Sequence, residues 1–148
     1  MIIRPATPAD YPALADLWYD SWQSIGISNE TDLSREGVRA RFHQEAASRW
    51  ALYVAERDSK PAGFLALVPE ESRIDQLFVD PASKGAGAGL ALLNHAKGLM
   101  PEGIVLTTHE TNQRARAFYE REGFVLTSIE PDAYHRRAKC HYAWRPAV

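Results

Sequence analysis

Apolar positions recur along this chain with two periods, and the changes between them mark out the elements. Residues 1–6, "MIIRPA", open with a short apolar run that reads as a strand. Thr7 followed by Pro8 is a helix-start pairing, and Leu14, Leu17, Trp18 and Trp22 then fall at helical spacing over residues 7–22. After the turn-like residues 23–34, "SREGVRARFHQEAAS" is a second, weaker helix with Val38 and Phe42 four apart. Residues 50–69 hold two β-rich runs around the turn-former "RDSKPA", the pattern of a hairpin. "SRIDQLFVDP" is a further strand ended by Asp80-Pro81, and a helix follows from Gly87 to about Met100. "IVLTTH" (104–109) is a strand and "NQRARAFYERE" (112–122) a helix, with Gly123 at its C′ position. "FVLTSIE" and "AKCHYAWRP" close the chain as two strands joined by the polar residues "PDAYHRR".

The order is therefore β-α-α-β-β-β-α-β-α-β-β. One strand-helix-strand crossover implies a parallel pair, and the hairpins imply antiparallel ones. A mixed, mostly antiparallel sheet with helices on both faces follows, α/β in class or α+β by some conventions. With 148 residues and no linker or repeat, one domain over 1–148 is expected. A net charge of -2 supplies no basic field for nucleic acid. The single cysteine, Cys140, allows no intrachain disulfide. The opening residues lack an apolar leader and no run reaches membrane-spanning length, so a cytoplasmic protein with no membrane contact is expected. A homodimer is compatible with the chain.

Between the third β-rich run and the helix lies "SKGAGAG", three glycines in five residues. Glycine costs stability in regular elements, so mere close packing explains them poorly. A dinucleotide fingerprint would use Gly85 and Gly87 with Glu110 as the distant acid, but its third glycine falls at Leu90. A P-loop fails because Lys84 precedes the glycines. The remaining reading is a pyrophosphate cradle at a helix N-terminus. Free N–H groups and the helix dipole attract the anion there, missing Cβ atoms admit it, and Lys84 adds charge.

At this point the sequence resembles a known family. "VDPASKGAGAGLALL" is similar to the acetyl-CoA signature of the GNAT N-acetyltransferases, V-x-P-x-x-(Q/R)-x-x-G-x-(G/A). Val79, Pro81, Gly87 and Gly89 match it, and Lys84 stands in the Gln/Arg place. "NQRARAFYEREGF" (112–124) resembles the family's second signature, N-x-x-A-x-x-F-Y-x-x-x-G-F, and the element order agrees over essentially the whole chain. The resemblance implies acetyl-CoA as acyl donor and no metal, with the pyrophosphate on Lys84, Gly85, Ala86, Gly87, Ala88, Gly89 and Leu90. It places the pantetheine arm between the strands at 74–79 and 103–108, paired to the backbone of Leu77, Phe78 and Val79. It further implies that Asn112, a favoured N-cap in its own right, bonds the arm, and that Tyr119 meets the sulfur.

A phenol with pKa about 10 is protonated at neutral pH and can donate to the departing thiolate, which suits Tyr119 as general acid. The proton acceptor is less defined. Asp75 resembles the place of a catalytic glutamate in several family members. Strand alternation puts it on one face with Leu77 and Val79, where apolar neighbours would raise its pKa, unless Arg73 or Arg4 pairs with it. His109, past a strand end, is the rival base. Cys140 and His141 alternate on a strand and make a poor nucleophile pair. By resemblance the amine acceptor enters near residues 18–30 and 131–137, with Trp22, Glu30 and Tyr134 as candidate contacts. Asp32 and Glu30 favour a cation there, whereas His135, Arg136 and Arg137 favour an anion. Direct transfer of acetyl to a primary amine in a ternary complex is the expected reaction. The alternatives are a non-catalytic acyl-CoA sensor and, less well matched, a nicotinamide enzyme.

Overall fold

The computed structural model describes residues 1–25, 34–83, 87–131 and 138–146, the side chains of residues 22, 24, 25 and 83 excepted. The strands are β1 (Ile2–Pro5), β2 (Ala51–Arg57), β3 (Lys60–Val68), β4 (Arg73–Val79), β5 (Ile104–His109), β6 (Val125–Glu130) and β7 (Lys139–Trp144). The helices are α1 (Tyr11–Ile25), α2 (Arg35–Ser48), α3 (Ala88–Leu99) and α4 (Gln113–Arg121). The strands form one sheet in the order β1-β2-β3-β4-β5-β7-β6, in which only β4 and β5 run parallel. The last strand to form in the sequence thus sits inside the sheet, and β6 is left as a fully exposed edge. No helix among the described residues is long and apolar enough to cross a membrane.

Each face of the sheet has its own core. Leu14, Leu17 and Trp18 of α1 and Val38 and Phe42 of α2 are buried over Trp50, Val54 and Phe64 on one face. Trp18, Phe42, Trp50 and Phe64 meet there mostly edge to face, at 5.3–6.5 Å between ring centroids. On the opposite face Ala88, Leu92, Leu93 and Ala96 of α3 and Tyr119 of α4 pack on Leu65, Leu67, Ile74, Leu106 and Cys140.

Two local features depart from simple periodicity. The first helix does not run on from Pro8: residues Pro8–Asp10 make a 3₁₀ turn and α1 begins at Tyr11. Pro12 explains this, because it has no N–H to donate to the carbonyl of residue 8 and its ring would crowd that carbonyl. The β2–β3 hairpin closes through Asp58 and Ser59, both left-handed with φ of 52° and 61°, which matches the twist of the flanking strands.

The 3₁₀ turn is tied to the sheet edge by charge. Arg4 donates to Asp10 Oδ1 and Oδ2, both at 2.8 Å, and to Glu56 Oε1 at 2.6 Å. Asp10 Oδ2 also accepts from the Thr7 N–H at 2.8 Å. The Arg4 guanidinium, more than any other neighbour, holds the Asp10 carboxyl down at about 2. A carboxylate depressed by folding stabilises the protein above its unfolded value near 4, and that stability is lost as pH falls toward 2. Asp10→Asn is expected to cost about 1–2 kcal/mol at pH 7, discounting for partial exposure, and progressively less below pH 4. Urea titrations of both proteins at pH 7 and pH 3 check this; an unchanged gap at the two pH values would dismiss the ion pair as its source.

Candidate active site

β4 and β5 pair only where they begin. Arg73 stands opposite Val105 and Ile74 opposite Leu106; beyond them the strands separate. A cavity of about 820 Å³ opens in the gap, walled by Asp75 to Val79 on one side and Thr107 to His109 on the other. On their outer sides the two strands remain bonded to β3 and β7. Over the length of the gap, their facing backbone edges have no strand partner, so an extended chain of amide groups could pair there.

The gap runs to the start of α3. Gly87 is the N-cap, left-handed at φ 85°, and the first intrahelical bond is Ala91 N–H to Gly87 C=O at 3.0 Å. The N–H groups of Ala88, Gly89 and Leu90 therefore have no intrahelical acceptor, and these residues line the cavity. A Cβ built on Gly87 would meet nothing within 4 Å. The glycine thus serves both a strained backbone angle and an open approach. Gly89 has only ordinary contacts, with Val79 and Phe118. Lys84, Gly85 and Ala86 lie outside the described residues.

α4 borders the cavity with Asn112, Ala115, Phe118 and Tyr119. Asn112 is the N-cap, its Oδ1 accepting from the Ala115 N–H at 3.2 Å, as its position predicts. Tyr119 is 7% exposed and packs against Phe118, Phe124 and Tyr142. Burial pushes its phenol well above the usual tyrosine value, so it is a hydrogen-bond donor at every physiological pH. The helix is clamped at both ends. Arg116 Nε donates to Tyr142 Oη at 3.0 Å, which in turn donates to Glu120 at 2.6 Å. Lys97 Nζ caps the C-terminus through the Glu122 carbonyl at 2.7 Å, next to Gly123 at φ 96°.

The expected face of Asp75 needs correction. Ala66 pairs with Gln76 but its neighbour Leu67 pairs with Ile74, so Asp75 is the extra residue of a β-bulge. Alternation is broken there: Ile74, Leu77 and Val79 belong to the α3 side of the sheet, whereas Phe78 packs on the α1–α2 side. Asp75 turns away from Leu77 and Val79 and accepts from Trp50 Nε1 at 2.7 Å on that second side. Its ion-pair partner is Arg49, at 3.4 Å. Arg73 bonds Glu71, and Arg4 is engaged at β1.

His109 reaches the cavity at the end of β5. Cys140 is fully buried in the α3-side core, while His141 points to the other face, where its Nδ1 lies 3.1 Å from Thr107 Oγ1. Glu30, Asp32, Tyr134, His135, Arg136 and Arg137 lie outside the described residues, as does the side chain of Trp22. Among the described residues no three His, Cys, Asp or Glu side chains gather as a metal site.

Several lining residues carry no local sequence signal. Arg41 of α2 borders the cavity, its guanidinium 5.3 Å over the Trp18 ring. Thr107 contributes a hydroxyl, and Ser21 donates to the Val79 carbonyl at 3.2 Å. Gly63 holds the wall in place from behind: a Cβ there would sit 2.7 Å from the Phe78 carbonyl oxygen. A glycine inside a strand is the one available hint of such close approach.

Residues 11–124 match the profile of the acetyltransferase (GNAT) family. The chain belongs to this family. As a GNAT protein it is an N-acetyltransferase, in keeping with its relatives. It is 30% identical over 138 residues to the probable N-acetyltransferase Rv2775 of Mycobacterium tuberculosis, covering 84% of this chain and 79% of that one. It is 40% identical over 102 residues to the peptidyl-lysine N-acetyltransferase YjaB of Salmonella typhimurium, 68% of this chain and 66% of the relative. The solution structure of apo-form YjaB from Escherichia coli superposes with a TM-score of 0.79 at 25% identity, over 99% of this chain and 100% of that one. The GNAT fold expected from the two signatures is the fold observed.

Proposed function

We propose that residues 1–148 form one acetyltransferase domain that moves an acetyl group directly from acetyl-CoA to a primary amine, both bound at once. The observation that carries this reading is the opening of β4 from β5 onto the bare N-terminus of α3. The pantetheine amides find strand-like partners along Leu77 to Val79, and the pyrophosphate finds the free N–H groups of Ala88 to Leu90. Lys84, Gly85 and Ala86 continue that cradle in sequence, and Asn112 borders the arm.

Within this reading Tyr119 donates its phenolic proton toward the leaving sulfur. Backbone donors along the β4 wall polarise the thioester carbonyl, and the two walls hold the reactants in line. Asp75 faces the acceptor side and attracts the incoming ammonium. The Trp50 and Arg49 donors fix the orientation of that carboxylate. Trp22, Glu30 and Tyr134 are the proposed contacts of the acceptor. Lysine-bearing peptides head the acceptor panel, because the YjaB relatives are named for that substrate.

The experiment pairs calorimetry with acetyl-CoA, using NADH as control, with CoA-thiol release over peptides, free amino acids, polyamines and aminosugars. Acetyl-CoA binding followed by amine-dependent thiol release is expected. Failure to bind acetyl-CoA would reject the proposal; binding without release over the panel would favour an acyl-CoA sensor.

A further inference from the structure

Resting on the amine-acetylation reading, one question about the site is the destination of the proton that the attacking nitrogen must lose. The sheet offers an answer apart from Asp75. Antiparallel pairing sets Thr107 of β5 directly opposite His141 of β7, so their side chains share a face. Thr107 Oγ1 lies 3.1 Å from His141 Nδ1. On the far side of β7, His141 stands opposite Ser128, and Glu130, two residues along β6, shares the same face. Glu130 Oε2 is 3.9 Å from His141 Nε2. Arg73 Nη1 donates to Thr107 Oγ1 at 3.4 Å. Among these four side chains only Thr107 borders the cavity, across the gap from Asp75 and Gln76.

The donors and acceptors in this row give it a direction. Arg73 can only donate and the Glu130 carboxylate can only accept. Glu130, at 3.9 Å, is beyond hydrogen-bond reach of Nε2 but its charge favours a proton there, and with Arg73 donating to Thr107 Oγ1 the arrangement favours Nδ1 as the acceptor of the Thr107 hydroxyl. A lone pair of Thr107 Oγ1 remains for a donor in the cavity. Imidazole is also the side-chain base best suited to take up a proton near neutral pH.

We propose that Thr107 and His141 form the proton relay of the acetyl transfer. The acceptor's ammonium first loses one proton to solvent; as the neutral amine nitrogen then bonds to the thioester carbonyl carbon, its surplus proton passes to Thr107 Oγ1, and the threonine's own proton passes to His141 Nδ1. The C–S bond then breaks, and the sulfur takes the proton of Tyr119. One proton leaves nitrogen and one reaches sulfur, so the sum balances, and solvent resets the two side chains. Glu130 faces the imidazolium that forms, while Arg73 from β4 and Lys139 on β7 itself set the positive charge it must offset. His141 is 34% exposed, which gives its proton a way out.

Two measurements test the relay. Nitrogen NMR of histidine-labelled protein reads the tautomer without any turnover. Neutral His141 is expected with Nδ1 unprotonated; a protonated Nδ1 would reverse the hydrogen bond and overturn the proposal. In steady-state kinetics the wild type is expected to lose kcat toward acid, at the same pH for acceptors of different basicity. His141→Gln and Thr107→Val should lower kcat at neutral pH by about 100-fold and abolish that acid limb, with the KM for acetyl-CoA unchanged. Thr107→Ser should restore both, which a packing role would not explain. Wild-type kcat and an intact acid limb in His141→Gln would also overturn the relay. A wild type that acetylates no amine would instead reject the transferase reading, and the tautomer would still decide the direction of the bond.

Discussion

Tyr119→Phe lowers kcat about 100-fold while leaving acetyl-CoA affinity and thermal stability close to wild type: this is the expected result if the phenol is the general acid. The fold should not suffer, because the side chain of Tyr119 packs through its ring. Phe118, Phe124 and Tyr142 surround it at centroid distances of 5.3, 5.5 and 6.5 Å, and phenylalanine keeps all three. The magnitude follows from two opposed effects of burial. A desolvated phenol never ionises in the working pH range, so it is always ready to donate. The same raised value makes full surrender of the proton harder, since the leaving thiol is far more acidic than the phenol. The balance places the loss toward the lower end of what general acids contribute. Steady-state kinetics with the acceptor found in the thiol-release panel, together with a melting curve, decide it. An unchanged kcat removes the acid role from Tyr119, and a collapsed melting temperature would mean that the hydroxyl matters to folding instead.

How much of this site could be read before folding depends on how local each feature is. The Asn112 cap and the Gly123 stop need only a few neighbouring residues, and the structure has them where the sequence places them. The limits of β5 are also those of the stretch "IVLTTH", Ile104–His109. The face of Asp75 is not legible in the sequence, because a bulge depends on the register against β3, which no property of "RIDQLFVDP" reports. Pro12, by contrast, was visible in the sequence and is what delays α1 to Tyr11. The Thr107–His141 pair could not be seen at all. It exists because β7 enters the sheet between β5 and β6, bringing together residues 34 apart. Cys140, adjacent in sequence to His141, is sent to the opposite core by the same strand.

Gly87→Asp is expected to weaken acetyl-CoA binding by more than about 100-fold, or roughly 3 kcal/mol, without unfolding the protein. Gly87 sits left-handed at the N-cap of α3, and a Cβ there would project into open space. Aspartate pays a backbone cost of about 1 kcal/mol at such an angle, less than most residues, and part returns because Asp is a favoured N-cap. Its carboxylate would bond the same free N–H groups of Ala88 to Leu90 that are proposed to receive the pyrophosphate, and would repel that anion by like charge. The helix is thus kept while its ligand is displaced. Gly87→Ala separates the two effects, since it carries the backbone cost without the charge and should keep affinity within about tenfold of wild type. Calorimetry of the three proteins with acetyl-CoA, each first checked for its melting temperature, reads the difference. If the aspartate variant binds as tightly as wild type, the anion does not sit at this helix end.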